Sequence, residues 1–381
     1  MKILAVDIGT GTQDIYLYDS RLDIENGFRL VLPSPTMRVN RAIQEATRRG
    51  QPVCLTGLTM GGGPSHWAAE SHLKQGYPVY ATPEAARSFN DDLTVIREMG
   101  IEVVSEEEAG RLPHSVVRLD LADFDFHSIT SVFEAFEVPL GDLACVGVAV
   151  FDHGAAPPHV SDRMYRFDYL DRRIREVNRL SAFAYRSGEV PSIMTRLQAV
   201  VRSASSVDSP LVVMDTAPAA VLGASQERLV SERERVLIAN VGNFHTLAFR
   251  LGPSGVEGVF EHHTGLLNQE KLDLLLTKLA DGTLTREEVY NDNGHGALIY
   301  EPNTLPLDGE GWGLAVTGPR RSMMAGSSLR PHFPAPFGDM MMTGCFGILA
   351  ATADLHPEMA GAIRASLTND RGNGTPPWEV E

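Results

Sequence analysis

Short apolar runs alternate along this chain with segments in which apolar residues recur at helical spacing. Runs such as Leu143–Val150 and Leu314–Thr317 have few polar interruptions, which predicts strands buried on both faces of a sheet. Helical spacing is clearest at Gln269–Ala280, and residues 83–99 are also predicted to form a helix. This alternation predicts a mixed α/β fold.

The amino-terminal segment joins a buried strand to a turn suited to phosphate. The apolar run at residues 3–6 ends on Asp7, and the β-branched and aromatic residues 15–18 predict a returning strand. Asp7 stands beside the turn and can hold a hydrated cation. The turn offers backbone N–H groups, hydroxyls and an amide to a phosphate; its residues are Gly9, Thr10, Gly11, Thr12 and Gln13.

The same strand–turn–strand pattern recurs in the second half of the chain. A predicted strand at residues 236–239 enters a polar turn and returns as a strand at residues 246–251. The polar residues of this segment are Asn240, Gly242, Asn243, Phe244, His245 and Thr246. A second phosphate turn is therefore predicted here.

Neither turn matches a common nucleotide-binding fingerprint. The pair Gly9 and Gly11 lacks the third glycine of a dinucleotide-binding loop, and a strand follows where that motif requires a helix. The P-loop pattern GxxxxGK[ST] does not occur in the sequence. For the first turn taken alone, a tight polar hairpin without a ligand is the alternative.

Composition limits the classes of partner. A net charge of −16 over 381 residues argues against a nucleic-acid or anionic-membrane binder, since both require basic surface. The three cysteines are far apart in sequence, no apolar run reaches the length of a membrane span, and the first strand follows Met1 directly. We therefore expect a cytoplasmic protein without a signal peptide; its partner is not predicted, and a homodimer is left open.

The order of the motifs resembles the superfamily of acetate and sugar kinases, heat-shock chaperone ATPases and actin. The two turns look like its first and second phosphate loops, residues 313–320 like its adenosine-binding strand and turn, and two small-residue segments like its connecting helices, at residues 215–223 and 344–351. The resemblance implies a two-lobed actin-like ATPase (ribonuclease H-like) fold, with duplicated strand–turn–strand units, mixed sheets and a central nucleotide cleft. It implies lobes at residues 1–234 and 235–340, a helix at 341–366 returning across the hinge, and a disordered tail at 367–381.

The resemblance also implies a function and a set of site residues. The implied function is binding of ATP (or ADP) with Mg²⁺, followed by phosphoryl transfer or hydrolysis. Asp7 would hold the cation, and Thr317 and Gly318 would lie beneath the adenosine. Residues of the two turns, including Gln13 and Thr246, would contact the phosphates. Residues 57–64 and 151–154 would form a substrate wall.

One position departs from the pattern of this superfamily. Its second phosphate loop begins with an aspartate, and this chain has Asn240 there. An amide cannot act as a base or offer a full charge to Mg²⁺. Asp14, Asp152 or His245 could replace it, although Asp152 could instead cap the turn at Gly154, and His245 could be an ordinary loop histidine.

Three alternative functions follow from these observations. The phosphate-loop style is shared with hydantoinase- and oxoprolinase-like amide hydrolases, and Asn240 favours a nucleotide-gated switch without appreciable turnover. A metal-dependent hydrolase is the third, although the spacing of the candidate ligands matches no local metal motif. Those ligands are His66, Asp152, His153, His245, His262 and His263, and His262 and His263 on one strand would point to opposite faces.

More narrowly, the chain resembles a prokaryotic family labelled as related to the pyruvate formate-lyase activating enzyme. Enzymes of that name are radical proteins with an iron–sulfur cluster on three closely spaced cysteines. Cys54, Cys145 and Cys345 show no such spacing, so radical chemistry is not expected.

Overall fold

The computed structural model of the protein describes residues 1–307, 312–368 and 376–379. Within them the strands, in chain order, are β1 (Lys2–Ile8), β2 (Thr12–Asp19), β3 (Phe28–Pro33), β4 (Val53–Gly57), β5 (Val79–Ala81), β6 (Glu102–Val103), β7 (Val117–Leu121), β8 (Leu143–Val150), β9 (Ala184–Arg186), β10 (Leu211–Asp215), β11 (Val236–Val241), β12 (His245–Gly252), β13 (Gly255–His263), β14 (Gly296–Ile299) and β15 (Leu314–Thr317).

The α-helices of the same residues flank these strands. In chain order they are α1 (Pro35–Arg48), α2 (Pro64–Lys74), α3 (Pro83–Ala86), α4 (Leu93–Glu98), α5 (Glu106–Arg111), α6 (Phe126–Glu134), α7 (Asp162–Glu176), α8 (Thr195–Ser203), α9 (Thr216–Ala224), α10 (Arg228–Ser231), α11 (Gln269–Ala280), α12 (Arg286–Asn291), α13 (Thr343–Leu355) and α14 (Pro357–Thr368). The chain is thus mixed α/β, as the hydrophobic pattern predicts.

Two of the three sheets share one arrangement of strands. In the six-stranded sheet, ordered β3-β2-β1-β8-β10-β9, β1 pairs antiparallel with β2 and parallel with β8. In the five-stranded sheet, ordered β14-β13-β12-β11-β15, β11 pairs antiparallel with β12 and parallel with β15. The strand–turn–strand unit predicted twice from the sequence is therefore present in both sheets.

The third sheet is formed by residues inserted between β3 and β8. It is parallel, with the order β6-β5-β4-β7, and packs its own apolar core from β4, β5 and the helices around them. Because parallel strands join by crossovers, helices cover this sheet and its carboxyl edge carries the loops. One of these loops follows β4 and holds the glycine cluster at residues 61–63.

Two small-residue helices, α9 and α13, cross in close contact between the sheets. A Cβ on Gly223 would lie 1.6 Å from the Thr343 carbonyl oxygen, and one on Gly347 would lie 1.9 Å from the Ala219 carbonyl oxygen. Only glycine permits backbones to approach this closely. The backbones of α9 and α13 are therefore in direct contact at their crossing.

Two predicted helices differ from the structure. Residues 83–99 form two short helices, α3 and α4, because Asn90 and Asp92 accept backbone N–H bonds and start a new helix at Leu93. Residues 341–366 also form two helices, because Pro357 opens α14 and cannot continue the hydrogen-bond ladder of α13. The expected tail at 367–381 falls mostly outside the described residues; of the remainder, Thr368 ends α14 and Pro377–Glu379 form a 3₁₀ turn.

Candidate functional site

A cavity of about 560 Å³ lies where the three sheets meet. Its volume is in the range of small-molecule sites. The tips of both strand–turn–strand units line it, as do the loop after β4 and the turn after β8. Residues far apart in sequence therefore form one concave wall.

The tip of the first hairpin is closed by backbone bonds. The Gly9 N–H donates to the Thr12 carbonyl oxygen at 2.9 Å, and the Ser34 hydroxyl donates to the Thr10 carbonyl oxygen at 2.6 Å. Ser34 also caps α1, so the tip is tied to a helix. The Gly9 N–H is already hydrogen-bonded within the turn, so a ligand would have to contact other groups of the tip.

The tip of the second hairpin is closed in the same way. The Gly242 N–H donates to the His245 carbonyl oxygen at 3.0 Å, again three residues ahead. The two tips also lie side by side, because a Cβ on Gly11 would be only 2.9 Å from Nδ2 of Asn243. The predicted phosphate turns thus lie against each other at one cavity.

Most of the predicted site residues line this cavity, and two do not. Gln13 donates its side-chain amide to the Pro33 carbonyl at 3.2 Å, and the buried Thr246 hydroxyl is 3.0 Å from that of Thr264. Both lie outside the wall because each follows a lining residue on its strand, and successive side chains point to opposite faces. The lining residues from the predicted set are Asp7, Gly9, Thr10, Gly11, Thr12, Asp152, Asn240, Gly242, Asn243, Phe244, His245, Thr317 and Gly318.

Two carboxylates face each other across the first hairpin. Asp7 and Asp14 are direct partners in the β1–β2 register and both line the cavity. Burial raises the pKa of Asp7 to about 6 despite the bond that it accepts from the Thr216 hydroxyl. Burial and the charge of Asp7 raise the pKa of Asp14 to about 8. Oδ1 of Asp14 is buried without a hydrogen-bond partner.

Asp152 makes the contacts of a cap. Its Oδ1 accepts the Gly154 N–H and its Oδ2 accepts the Leu197 N–H, both at 2.9 Å. Burial raises its pKa to about 6, against the effect of these two bonds. Because both oxygens are engaged by backbone, the capping interpretation describes this residue better than that of a base.

Most residues of the expected substrate wall line the cavity, and an unexpected segment lies beside them. Residues 59–63 and 151–154 line the cavity together with Arg87, Ser88, Phe89 and Asp91, which lie at the break between α3 and α4. The run Asn90–Asp92 is a signal for that break, because Asn and Asp favour a turn over a helix interior. Phe244 contacts this side as well, since its ring centroid is 5.2 Å from that of Trp67.

A group of histidines surrounds one buried glutamate beside the second tip. Nδ1 of His245 is 2.9 Å from Oε1 of Glu261, and the Nε2 atoms of His153 and His295 are 3.3 Å apart. Glu261 and His295 were not predicted. The period-two rule that separates His262 from His263 would also have placed Glu261 on the face of His263. His262 indeed points away, toward Asp292 at 3.1 Å, and His66 lies apart against Phe89.

The charges of the wall favour a ligand that includes a cation. Among the described residues, four carboxylates line the cavity, namely Asp7, Asp14, Asp91 and Asp152. The lining guanidiniums are paired, Arg87 with Glu84 at 2.7 Å and Arg196 with Asp123 at 2.7 Å. Where these carboxyl groups are ionised they would repel a polyphosphate, and a divalent cation would relieve that repulsion.

The helices of the described residues are all too short or too polar to cross a bilayer.

The cavity is thus a candidate ligand site lined by two glycine-containing hairpin tips and by a pair of carboxyl groups. The chain belongs to the family described as "Putative pyruvate format-lyase activating enzyme (DUF1786)", whose model matches residues 60–323. A search of curated proteins gives no significant match.

Two solved structures with some likeness to this chain are kinases by title. A ROK hexokinase from Thermus thermophilus is 10% identical over 67% of this chain and 47% of its own, with a TM-score of 0.24. A propionate kinase from Francisella tularensis subsp. tularensis SCHU S4 is 6% identical over 69% of this chain and 57% of its own, with a TM-score of 0.25. TM-scores this low carry no argument, and the chain spans less than two thirds of either protein.

Proposed function

We propose that this protein binds ATP with Mg²⁺ in the cavity and transfers or hydrolyses the terminal phosphoryl group. The observation that supports this most is the meeting of the two hairpin tips, each closed by an N–H bond to the third residue ahead. Paired turns of this kind present backbone and hydroxyl donors to a polyphosphate from two sides. Phosphoryl transfer depends mainly on such positioning and on charge compensation.

The residues present fit a hydrated Mg²⁺ ion. Asp7 and Asp14 place two carboxylates side by side, and Oδ1 of Asp14 is buried without a partner. Mg²⁺ favours one or two carboxylates together with water and phosphate oxygens. When bound, the ion would neutralise charge on the phosphates.

The remaining contacts follow from the position of each residue on the wall. Thr10 and Thr12 on the first tip, and Asn243 on the second, would hold the phosphates. Thr317 and Gly318, at the end of β15, would lie beneath the adenosine. Residues 1–234 and 235–340 would act as two lobes that close on the nucleotide and exclude water.

A nucleotide-gated switch is the second candidate, and Asn240 is the observation that favours it. Asn240 lines the cavity at the end of β11, paired in register with Thr317. It can donate and accept hydrogen bonds but cannot take a proton from water. Such a site would bind and release nucleotide with little hydrolysis.

The radical chemistry suggested by the family description does not fit this chain. Cys54 lies on β4, Cys145 on β8 and Cys345 on α13, and all three are buried. Burial raises the pKa of Cys145 to about 12 and that of Cys345 well above its ordinary value, so both stay protonated. An iron–sulfur cluster requires thiolates close together.

The test compares Asp7→Asn with wild type by calorimetric titration of MgATP and by phosphate release. The substitution keeps the size of the side chain and its bond with Thr216 but removes the charge, so we expect folded protein without Mg²⁺-dependent turnover. Asp19→Asn, at the far end of the same hairpin, is the matched control and should behave as wild type.

Phosphate release unchanged in Asp7→Asn would refute the role of that residue. Saturable MgATP binding without phosphate release in wild type would select the switch. If MgATP neither binds nor shifts the melting temperature at millimolar concentration, the nucleotide proposal fails, since a ligand at 100 times its Kd stabilises by about 2.7 kcal/mol.

A further inference from the structure

Four side chains at the edge of the cavity converge on one point. They are His153, His245, Glu261 and His295, and one donor atom from each lies within 4.8 Å of the others. His153 follows β8 of the six-stranded sheet. The other three belong to the five-stranded sheet: His245 opens β12, Glu261 lies on β13 and His295 immediately precedes β14. Glu261 and His295 are fully buried, whereas His153 and His245 line the cavity.

The spacing of these donors fits a tetrahedral metal ion. With metal–ligand bonds of about 2.0–2.1 Å, adjacent ligand atoms of a tetrahedron are about 3.3 Å apart. The distances are 3.3 Å between Nε2 of His153 and Nε2 of His295, 2.9 Å between Nδ1 of His245 and Oε1 of Glu261, and 3.6 Å between Nε2 of His295 and Oε1 of Glu261. These three separations bracket the ideal edge, and the other three pairs of donor atoms lie within 4.8 Å of one another.

Hydrogen bonding alone leaves this group incompletely satisfied. The two facing Nε2 atoms can share only one proton in a hydrogen bond, and Nδ1 of His295 is buried without a partner. Nδ1 of His295 has no partner whether it carries a proton or a lone pair, so it does not distinguish a hydrogen-bonded pair from a metal site. A metal ion between the two Nε2 atoms would accept the lone pair of each.

Buried charge around the group also favours a cation. Arg166 is fully buried, bonds Oδ2 of Asp215, and donates from Nε to Oε2 of Glu261 at 3.2 Å. One guanidinium thus faces two carboxylates, which leaves an excess negative charge away from water. Its contact with Oε2 also fixes the direction of Oε1, as residues behind metal ligands commonly do.

We propose that His153, His245, Glu261 and His295 bind one divalent transition metal ion of the Zn²⁺ type, which links the two larger sheets at the cavity wall. Three imidazoles and one carboxylate suit Zn²⁺ or Co²⁺, whereas Mg²⁺ prefers oxygen ligands. This site is separate from the Asp7–Asp14 pair. His245 also closes the second hairpin tip, so the ion would fix the position of that tip.

Metal uptake without nucleotide tests this proposal. The full chain is stripped with a chelator and titrated with Zn²⁺ by calorimetry and with Co²⁺ by visible absorption. We expect one equivalent of each, and the intense visible bands of four-coordinate Co²⁺. His153→Gln and His245→Gln should each lower the affinity at least about tenfold. His66→Gln, a histidine of the same cavity outside the group, is the matched control and should bind as wild type.

The two substituted ligands are on the cavity wall, so their variants are expected to fold, and melting of the metal-free proteins checks this. No uptake by wild type, or uptake by the folded His153→Gln and His245→Gln variants with unchanged affinity, overturns the proposal. Asp7→Asn should take up Zn²⁺ as wild type does. Zn²⁺ uptake is measured without nucleotide, so a loss of ATP binding in Asp7→Asn does not affect the test of the metal site. The metal proposal can therefore be confirmed or rejected even if the nucleotide proposal fails.

Discussion

Asp7 and Asn240 occupy equivalent positions in the two hairpins. Each stands two residues before the glycine whose N–H closes its turn, and each lines the cavity. The two differ chemically, since Asp7 is a carboxylate next to Asp14, whereas Asn240 is a neutral amide next to Thr317 in the β-sheet register. The symmetry of the backbone is therefore not matched by the chemistry of the side chains.

Asn240→Asp should raise phosphate release about tenfold or more, because it supplies a group that can accept a proton from water. The side chain keeps its size, so the fold should be unaffected. Release is measured under saturating MgATP. Asn268→Asp is the control, since it preserves an N-cap on α11, does not line the cavity and should change nothing.

A fall or no change in the rate for Asn240→Asp would show that the missing carboxylate does not limit turnover. The combination of intact MgATP binding and no gain in rate would favour the switch over the enzyme.

At the scale of elements, the crossing of α9 and α13 sets the distance between the two larger sheets. β10 ends at Asp215, which caps α9, and α13 packs its apolar face on β1 and β8. The Ala219 carbonyl lies where a side chain on residue 347 would be. Any larger residue there must push the helices apart, and with them the hairpin tips.

Gly347→Val should lower the free energy of unfolding by about 3 kcal/mol or more, because the new side chain overlaps backbone that cannot yield. Thermal melting measures the change, expected as a fall of several degrees. Gly361→Ala is the matched control: the glycine is on α14, nothing lies within 4 Å of an added Cβ, and alanine favours a helix. A normal melting temperature for Gly347→Val would show that the crossing tolerates separation.

Elements that depend on local sequence were predictable, and contacts between distant elements were less so. The strand Leu143–Val150 and the helix Gln269–Ala280 match the prediction at both ends, since each has a clear apolar pattern and a polar boundary. The break between α3 and α4 was missed because side-chain bonds of Asn90 and Asp92, not hydrophobic spacing, start the second helix there. The two hairpin tips were found by motif. Glu261 and His295 come together through the β13–β14 pairing, and both meet His153 only where the two larger sheets approach each other.

At the scale of the molecule, each of the three sheets contributes to one cavity. The first two supply the hairpin tips, and the parallel sheet supplies residues 59–63 and the segment at 87–91. Phe244 of the second tip rests against Trp67 of α2, which starts just after that glycine cluster. A ligand held by both tips would therefore be sensed at the parallel sheet through this aromatic pair.

Binding of MgATP should change the fluorescence of Trp67, because a phosphate at the second tip displaces the Phe244 ring, whose centroid is 5.2 Å from that of the indole. Trp67 is 56% exposed, so its emission responds readily to such a shift. The change should saturate at the Kd found by calorimetry. Trp67→Phe should lose the signal and keep the affinity, while Trp378→Phe, near the carboxyl end, should keep both. A signal that persists in Trp67→Phe, or tight binding without any signal in wild type, would mean that the ligand does not contact the second tip. The proposal that both tips bind the phosphates would then be wrong.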